Sequence, residues 1–224
     1  MHTLENKTVI VTGAAGALGR EVVRVLMDTG AQVISLDLAF PTEMQSEDTH
    51  ALDLTNEEAV KKIVAKLGPI HGLVNAAGGF DMGPTLYDPS NELWDKMFAI
   101  NVTTAKTVMA AVIPKMLTEG KGAVVNVGAI GGLSGAANMS AYSASKSVVM
   151  NMTQSLSEEV KHQGINVNAV LPSIIDTPAN RADMPDANFE EWVTPTQLAT
   201  VIGFLLSDDS SGIHGALIPV KGLC

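Results

Sequence analysis

A single cysteine, Cys224, stands among the 224 residues, so no disulfide can form within the chain, and a reducing, cytoplasmic setting is the expectation. Basic residues are also scarce, 14 against 24 acidic ones, for a formal net charge of −10. A nucleic-acid partner needs a concentrated basic face, which this balance argues against. A small-molecule ligand is not excluded, because a local site can be positive on an acidic protein. No apolar run approaches the ~20 residues that span a bilayer, and no membrane partner is expected. The polar start, Met1 to Lys7, leads directly into the first apolar run, and no signal peptide is expected. Repeats, linkers and low-complexity tracts are missing too. The length suits one α/β domain, residues 1–224, better than two.

What the sequence does have is alternation. Short β-branched runs at Thr8–Thr12, Gln32–Asp37, Gly72–Asn75, Ala123–Val127, Ile165–Leu171 and Ala216–Val220 read as strands. Between them lie helical stretches at Gly19–Thr29, Asn56–Leu67 (after a cap-like Thr55), Glu92–Leu117, Ser140–Gln163 and Thr196–Ser207. Such alternation predicts a single doubly wound parallel sheet with helices on both faces, the Rossmann arrangement. The stretch 173–195, punctuated by Pro178, Pro185 and Pro195, breaks the rhythm and reads as a short substrate lid.

The first strand runs straight into Gly13, Ala14, Ala15, Gly16, Ala17, Leu18 and Gly19, and then into a helix. Glycines there permit a tight turn and let the backbone approach a pyrophosphate seated on the helix N-terminus. Asp37 ends the second strand, 18 residues after Gly19. Its carboxylate suits two ribose hydroxyls and repels a 2′-phosphate, and no Lys or Arg lies between Gly13 and Gly19. NADH is therefore expected in preference to NADPH.

Further motifs follow in order. They are Asp53-Leu54 after a third strand, Asn75-Ala76-Ala77-Gly78 after the fourth, Asn101 in the long helix, Tyr142-Ser143-Ala144-Ser145-Lys146, and Pro172 with Ile175 and Thr177 after the sixth. Over essentially its whole length the chain resembles the short-chain dehydrogenase/reductase family. The resemblance implies that Asp53 and Leu54 contact adenine and that Asn75 to Gly78 line the cofactor. It further implies that Pro172, Ile175 and Thr177 approach the nicotinamide and that Asn101 supports a proton relay. It makes Tyr142 and Lys146 the catalytic pair and implies a homodimer or homotetramer. Chemistry agrees on the pair: at i and i+4 they share a helical face, and a neighbouring ammonium is expected to lower a phenol that ordinarily titrates near pH ~10.

The pattern breaks at three places. Ala17 stands where the loop usually has its middle glycine, and Ser173 stands where a glycine usually follows the proline. Most important, Ala129, thirteen residues before Tyr142, occupies the position of the family's catalytic serine. One branch, the dihydropteridine reductases, is similar in carrying alanine there. It is also similar in the lid (Asp176-Thr177-Pro178 through Trp192) and in the Gly78-Gly79-Phe80 turn. Ala129, Phe80 and Trp192 are therefore the expected substrate-contacting residues. The expected function is NADH-dependent reduction of a quinonoid dihydropterin or a similar flat acceptor. An alcohol dehydrogenase or 3-oxoacyl reductase acting on ordinary carbonyls, and a non-catalytic NAD-binding sensor, are the alternatives. No metal site is expected.

Overall fold

Alternation within the first strand, β1 (Thr8–Thr12), sends Val9 and Val11 to one face and Ile10 to the other, and both faces are buried. That is the signature of a parallel strand covered on two sides. In the computed structural model, which describes residues 3–88 and 90–224, six further strands join it. These are β2 (Gln32–Asp37), β3 (Thr49–Ala51), β4 (Gly72–Asn75), β5 (Gly122–Val127), β6 (Ile165–Pro172) and β7 (Leu217–Val220). All pairings are parallel, in the order β3-β2-β1-β4-β5-β6-β7.

Helices α1 (Ala17–Asp28) and α7 (Pro195–Leu206) bury Val22, Leu26, Leu198 and Ile202 against the face that carries Val9, Val11 and Val125. The opposite face takes α2 (Glu57–Lys66), α4 (Thr104–Glu119) and α5 (Ser140–Val160), whose Val60, Val64, Val108, Val112, Met116 and Val160 meet Ile10, Leu73, Val124 and Val167. This is the expected doubly wound fold. Strand order reverses between β1 and β4, so a crevice opens beyond their C-terminal ends, where ligands bind in such sheets.

Several expectations need correction. The expected single helix Glu92–Leu117 is α3 (Glu92–Phe98), a π-turn at Ala99–Thr103, and then α4. The π-turn is centred on Asn101, whose side chain bonds Gly79 and Ser145 outside this helical run. The whole run Glu92–Glu119 is apolar and long enough to cross a bilayer by length and composition. Its apolar side chains Val108, Val112 and Met116, however, are spent on the sheet. Asn56, not Thr55, caps α2, accepting the Ala59 N–H at 3.1 Å, while Thr55 bonds Asp53. The Ser140–Gln163 helix closes with a 3-10 turn at Lys161–Gln163. The 173–195 stretch contains a short helix, α6 (Pro178–Asp183), capped by Thr177 through the Asn180 N–H.

Candidate active site

The loop between β1 and α1 is shaped by close backbone approach. Gly13 has φ +66, and a Cβ there would lie 2.7 Å from the Ala77 backbone; on Gly19 it would lie 2.0 Å from the Gly13 carbonyl oxygen. Only glycine fits either position. Gly16 caps α1 without a side-chain hydrogen bond, and no acidic residue sits in the first turn. The first N–H groups of α1, from Ala17 and Leu18 onward, are thus free to meet an anion.

Asp37 closes the loop from the side. Its Oδ2 accepts the Ala15 N–H at 2.9 Å and its Oδ1 accepts the Leu38 N–H at 2.7 Å. Each carboxylate oxygen retains acceptor capacity for a ribose hydroxyl. Asp53 is held by the Thr55 N–H and hydroxyl, both at 2.8 Å, which keep its carboxyl below the usual range. The Leu54 side chain turns into the core. This glycine cradle, free helix terminus and carboxylate fit a nicotinamide dinucleotide.

Asn75 is buried, and its Nδ2 donates to Asn126 Oδ1 at 2.8 Å, while Asn126 Nδ2 donates to Thr153 Oγ1 at 2.9 Å. Its side chain therefore braces β4, β5 and α5 from within, with Oδ1 left unpartnered. The sequence signal for Asn126 is a polar residue interrupting an apolar strand, and Thr153 carries none. Ala76 and Ala77 are half-buried beside the loop, and Ala77 N–H donates to Thr12 Oγ1 at 3.1 Å.

Asn101 ties the turn after β4 to the catalytic helix. Its Oδ1 accepts the Gly79 N–H at 3.0 Å, and its Nδ2 donates to Gly79 O at 3.1 Å and to Ser145 Oγ at 3.0 Å. Ser145 in turn donates to the Tyr142 carbonyl at 2.7 Å. A π-turn at such a position is a common way to aim one side chain inward. Gly78 must lack a side chain, because a Cβ would sit 2.5 Å from Asn101 Oδ1 and 3.4 Å from Lys146 Nζ.

Tyr142 and Lys146 stand one turn apart on α5, near that junction. Lys146 Nζ donates to Val127 O at 2.9 Å, and burial lowers its pKa to about 8. Burial also pushes the Tyr142 phenol up to about 12. With the ammonium engaged by a carbonyl, desolvation dominates at the phenol. The Tyr142 ring meets Phe80 edge-on, with centroids 4.9 Å apart, and lies near Gly131. Ala129 is 4% exposed on extended backbone just before a 3-10 turn, and brings no hydroxyl.

Pro172 ends β6. Ile175 bridges Val193, and its carbonyl accepts Asn180 Nδ2 at 2.7 Å. Thr177 uses its hydroxyl oxygen as the α6 cap. Trp192, expected to contact substrate, is 5% exposed and packs on Phe189 at 4.9 Å, so it acts inside the 173–195 segment and not on its surface.

Residues 7–188 match the short chain dehydrogenase family model. The chain is 31% identical to the short chain dehydrogenase ausX of Penicillium brasilianum, covering 98% of this chain and 96% of that one. It is also 31% identical to the 3-oxoacyl-acyl-carrier-protein reductase FabG of Thermotoga maritima, covering 98% of each. Among solved structures, carveol dehydrogenase from Mycobacterium avium in complex with NAD is 25% identical, with a TM-score of 0.87 over 99% of this chain and 98% of that one. A putative NAD(P)-dependent gluconate 5-dehydrogenase from Beutenbergia cavernae with bound NADP, also 25% identical, gives 0.88 over 98% and 97%. Fold, cofactor cradle and relatives agree: the chain belongs to the short-chain dehydrogenase/reductase family and is a nicotinamide-dependent oxidoreductase.

Proposed function

We propose that this enzyme uses NADH to reduce a flat, conjugated acceptor of the quinonoid dihydropterin kind. The observation that carries the reading is the buried methyl of Ala129 where serine-bearing relatives present a hydroxyl. A carbonyl acceptor gains from a second donor as charge builds on its oxygen. A quinonoid ring that takes the hydride at one atom, and the proton at a conjugated heteroatom that receives the displaced electron pair, spreads the developing charge and has less need of it. The cofactor supplies the hydride.

The protein's own groups supply the rest. Tyr142, pushed up to about 12, stays protonated at neutral pH and serves as proton donor in the reductive direction. Lys146 holds the nicotinamide ribose, and Asn101 connects the pair to a proton path. The Phe80 ring, half exposed and edge-on to Tyr142, offers a platform for a planar substrate. Asp37 favours NADH by binding the ribose hydroxyls and repelling a 2′-phosphate.

The second reading, reduction of ordinary carbonyls, is favoured by the activities that the relatives are named for, among them an oxoacyl reductase and carveol dehydrogenase. Following NADH and NADPH oxidation with a quinonoid dihydropterin and with simple ketones separates the two. Turnover on ketones alone would overturn the first reading.

We also propose self-association through α4 and α5. Their outward faces carry small residues, Ala110 and Pro114 on one and Ser147, Asn151 and Ser155 on the other, which allow close helix approach. A monomer at micromolar concentration by light scattering would contradict it.

A further inference from the structure

The family pattern places a glycine after the proline that ends strand six, and this chain places Ser173 there. The structure shows the serine in use. Its Oγ donates to Lys221 O at 2.6 Å, its N–H donates to Val220 O at 3.3 Å, and Cys224 Sγ lies 3.2 Å from the same hydroxyl. At the far end of the 173–195 segment, Leu223 N–H donates to Glu191 O at 2.8 Å. Between these contacts Gly222 turns back with φ +65, so close that a Cβ would lie 2.5 Å from Glu191 O and 2.9 Å from the Trp192 carbonyl carbon. Residues 221–224 therefore grip both ends of one segment. Its neck is closed from within by Asp176 N–H to Val193 O at 2.8 Å and Val193 N–H to Ile174 O at 3.1 Å.

We propose that Ser173 and residues 221–224 form a clasp that keeps the 173–195 segment closed over the acceptor side of the site, with Ser173 and Gly222 as positioning residues for acceptor binding. The proposal rests on the reading of that segment as the cover of the acceptor site. Each clasp bond is exposed and individually modest. The clasp thus biases an open–closed equilibrium that the neck alone leaves freer. Acceptor affinity scales with the closed fraction, whereas chemistry inside the closed form is untouched. The hydroxyl that departs from the family pattern is the part of the clasp this chain adds.

Trp192 reports the segment directly. The other tryptophan, Trp94, lies on α3, stacked on Phe98. In a Trp94→Phe background, acrylamide quenching reads Trp192 alone, with no need for turnover. Ser173→Gly and Gly222→Ala should each raise the quenching constant. Ser173→Thr, which keeps the hydroxyl, should stay near the parent. In steady-state assays Ser173→Gly should raise the acceptor KM about fivefold, the equivalent of one neutral hydrogen bond, with kcat little changed. Unchanged quenching in both loosening variants overturns the clasp. Increased quenching with an unchanged acceptor KM overturns its role in acceptor binding. Absence of turnover on every acceptor sinks the proposed function instead, and the quenching result still decides the clasp.

Discussion

Lys146 Nζ donates to the carbonyl oxygen of Val127 at 2.9 Å, which anchors the ammonium to the end of β5 instead of to the Tyr142 phenol. The helix places the two side chains on one face, yet the strand end decides which group the ammonium serves without ligand. A ribose arriving at the Gly78 side meets an amine already held in place, and preorganisation of that kind lowers the cost of binding.

Tyr142→Phe should therefore abolish turnover while leaving NADH affinity nearly intact, since the ring still packs on Phe80 and only the proton donor is lost. Lys146→Met should lower both kcat and NADH affinity. Single-turnover rates and fluorescence titration with NADH measure the two effects separately. Equal, small losses from both changes would point to a nucleotide-binding protein without catalysis by this pair.

The burial of Lys146 also sets a pH dependence of stability. Its folded-state pKa is lowered to about 8 from 10.5. Between these values the unfolded chain binds more protons than the folded one, so this group makes stability rise with pH across that window. Below about 8 both states are protonated and the desolvation cost is fully present. Tyr142, raised to about 12 from 10.0, acts oppositely and lowers stability as pH climbs from 10.0 toward 12. The urea midpoint of wild type should thus rise relative to that of Lys146→Met as pH climbs from about 8 to about 10. A pH-independent difference would show that Lys146 is not buried as described.

Asp37→Ala should weaken NADH by roughly 1.5–3 kcal/mol, the range for charge-assisted hydrogen bonds to a charged group. It also removes the acceptor of the Ala15 N–H, so part of the loss will come from a looser glycine loop. The gap between NADH and NADPH should narrow, as repulsion of the 2′-phosphate goes with the carboxylate. Calorimetric titration of both cofactors checks this, and a wild type that prefers NADPH would overturn the reading of Asp37.

Much of this arrangement was legible because local chemistry and tertiary role coincide. β-Branched runs had to be strands buried on both faces, and Gly13 and Gly19 could only serve close backbone contact. What stayed hidden depends on distant partners. The π-turn at Ala99–Thr103 comes from Asn101 meeting Gly79 and Ser145, which no periodicity within Glu92–Glu119 encodes. The bounds of strand β3, Thr49–Ala51, stayed hidden, because it is three residues long with no fully buried position to mark it. Helix α6 had a signal that went unused, Thr177 followed by Pro178 at its first helical position. Trp192 was expected at the substrate through the resemblance of the lid to that of the dihydropteridine reductases; its burial against Phe189 is a property of the folded segment.

Ala129→Ser tests the substrate class most directly. Ala129 lies on extended backbone with its methyl buried, and its carbonyl accepts the Gly132 N–H at 3.0 Å, so the backbone there is fixed independently of the side chain. Serine adds one oxygen at that point without requiring a new backbone conformation. If the enzyme acts on ordinary carbonyls, the added hydroxyl supplies a missing donor, and one preorganised donor of this kind is worth roughly 10²–10³ in rate. If the acceptor is a dihydropterin-like ring, the hydride goes to the ring and Tyr142 supplies the proton. The new hydroxyl then finds nothing to bond in a spot shaped around a methyl group, and a buried hydroxyl without a partner carries a cost. The expected outcome is unchanged or lower activity on a quinonoid dihydropterin, with at most a modest gain on ketones. A gain near a hundredfold on ordinary ketones, in a protein whose wild type leaves the dihydropterin untouched, would establish a carbonyl reductase that works without its serine.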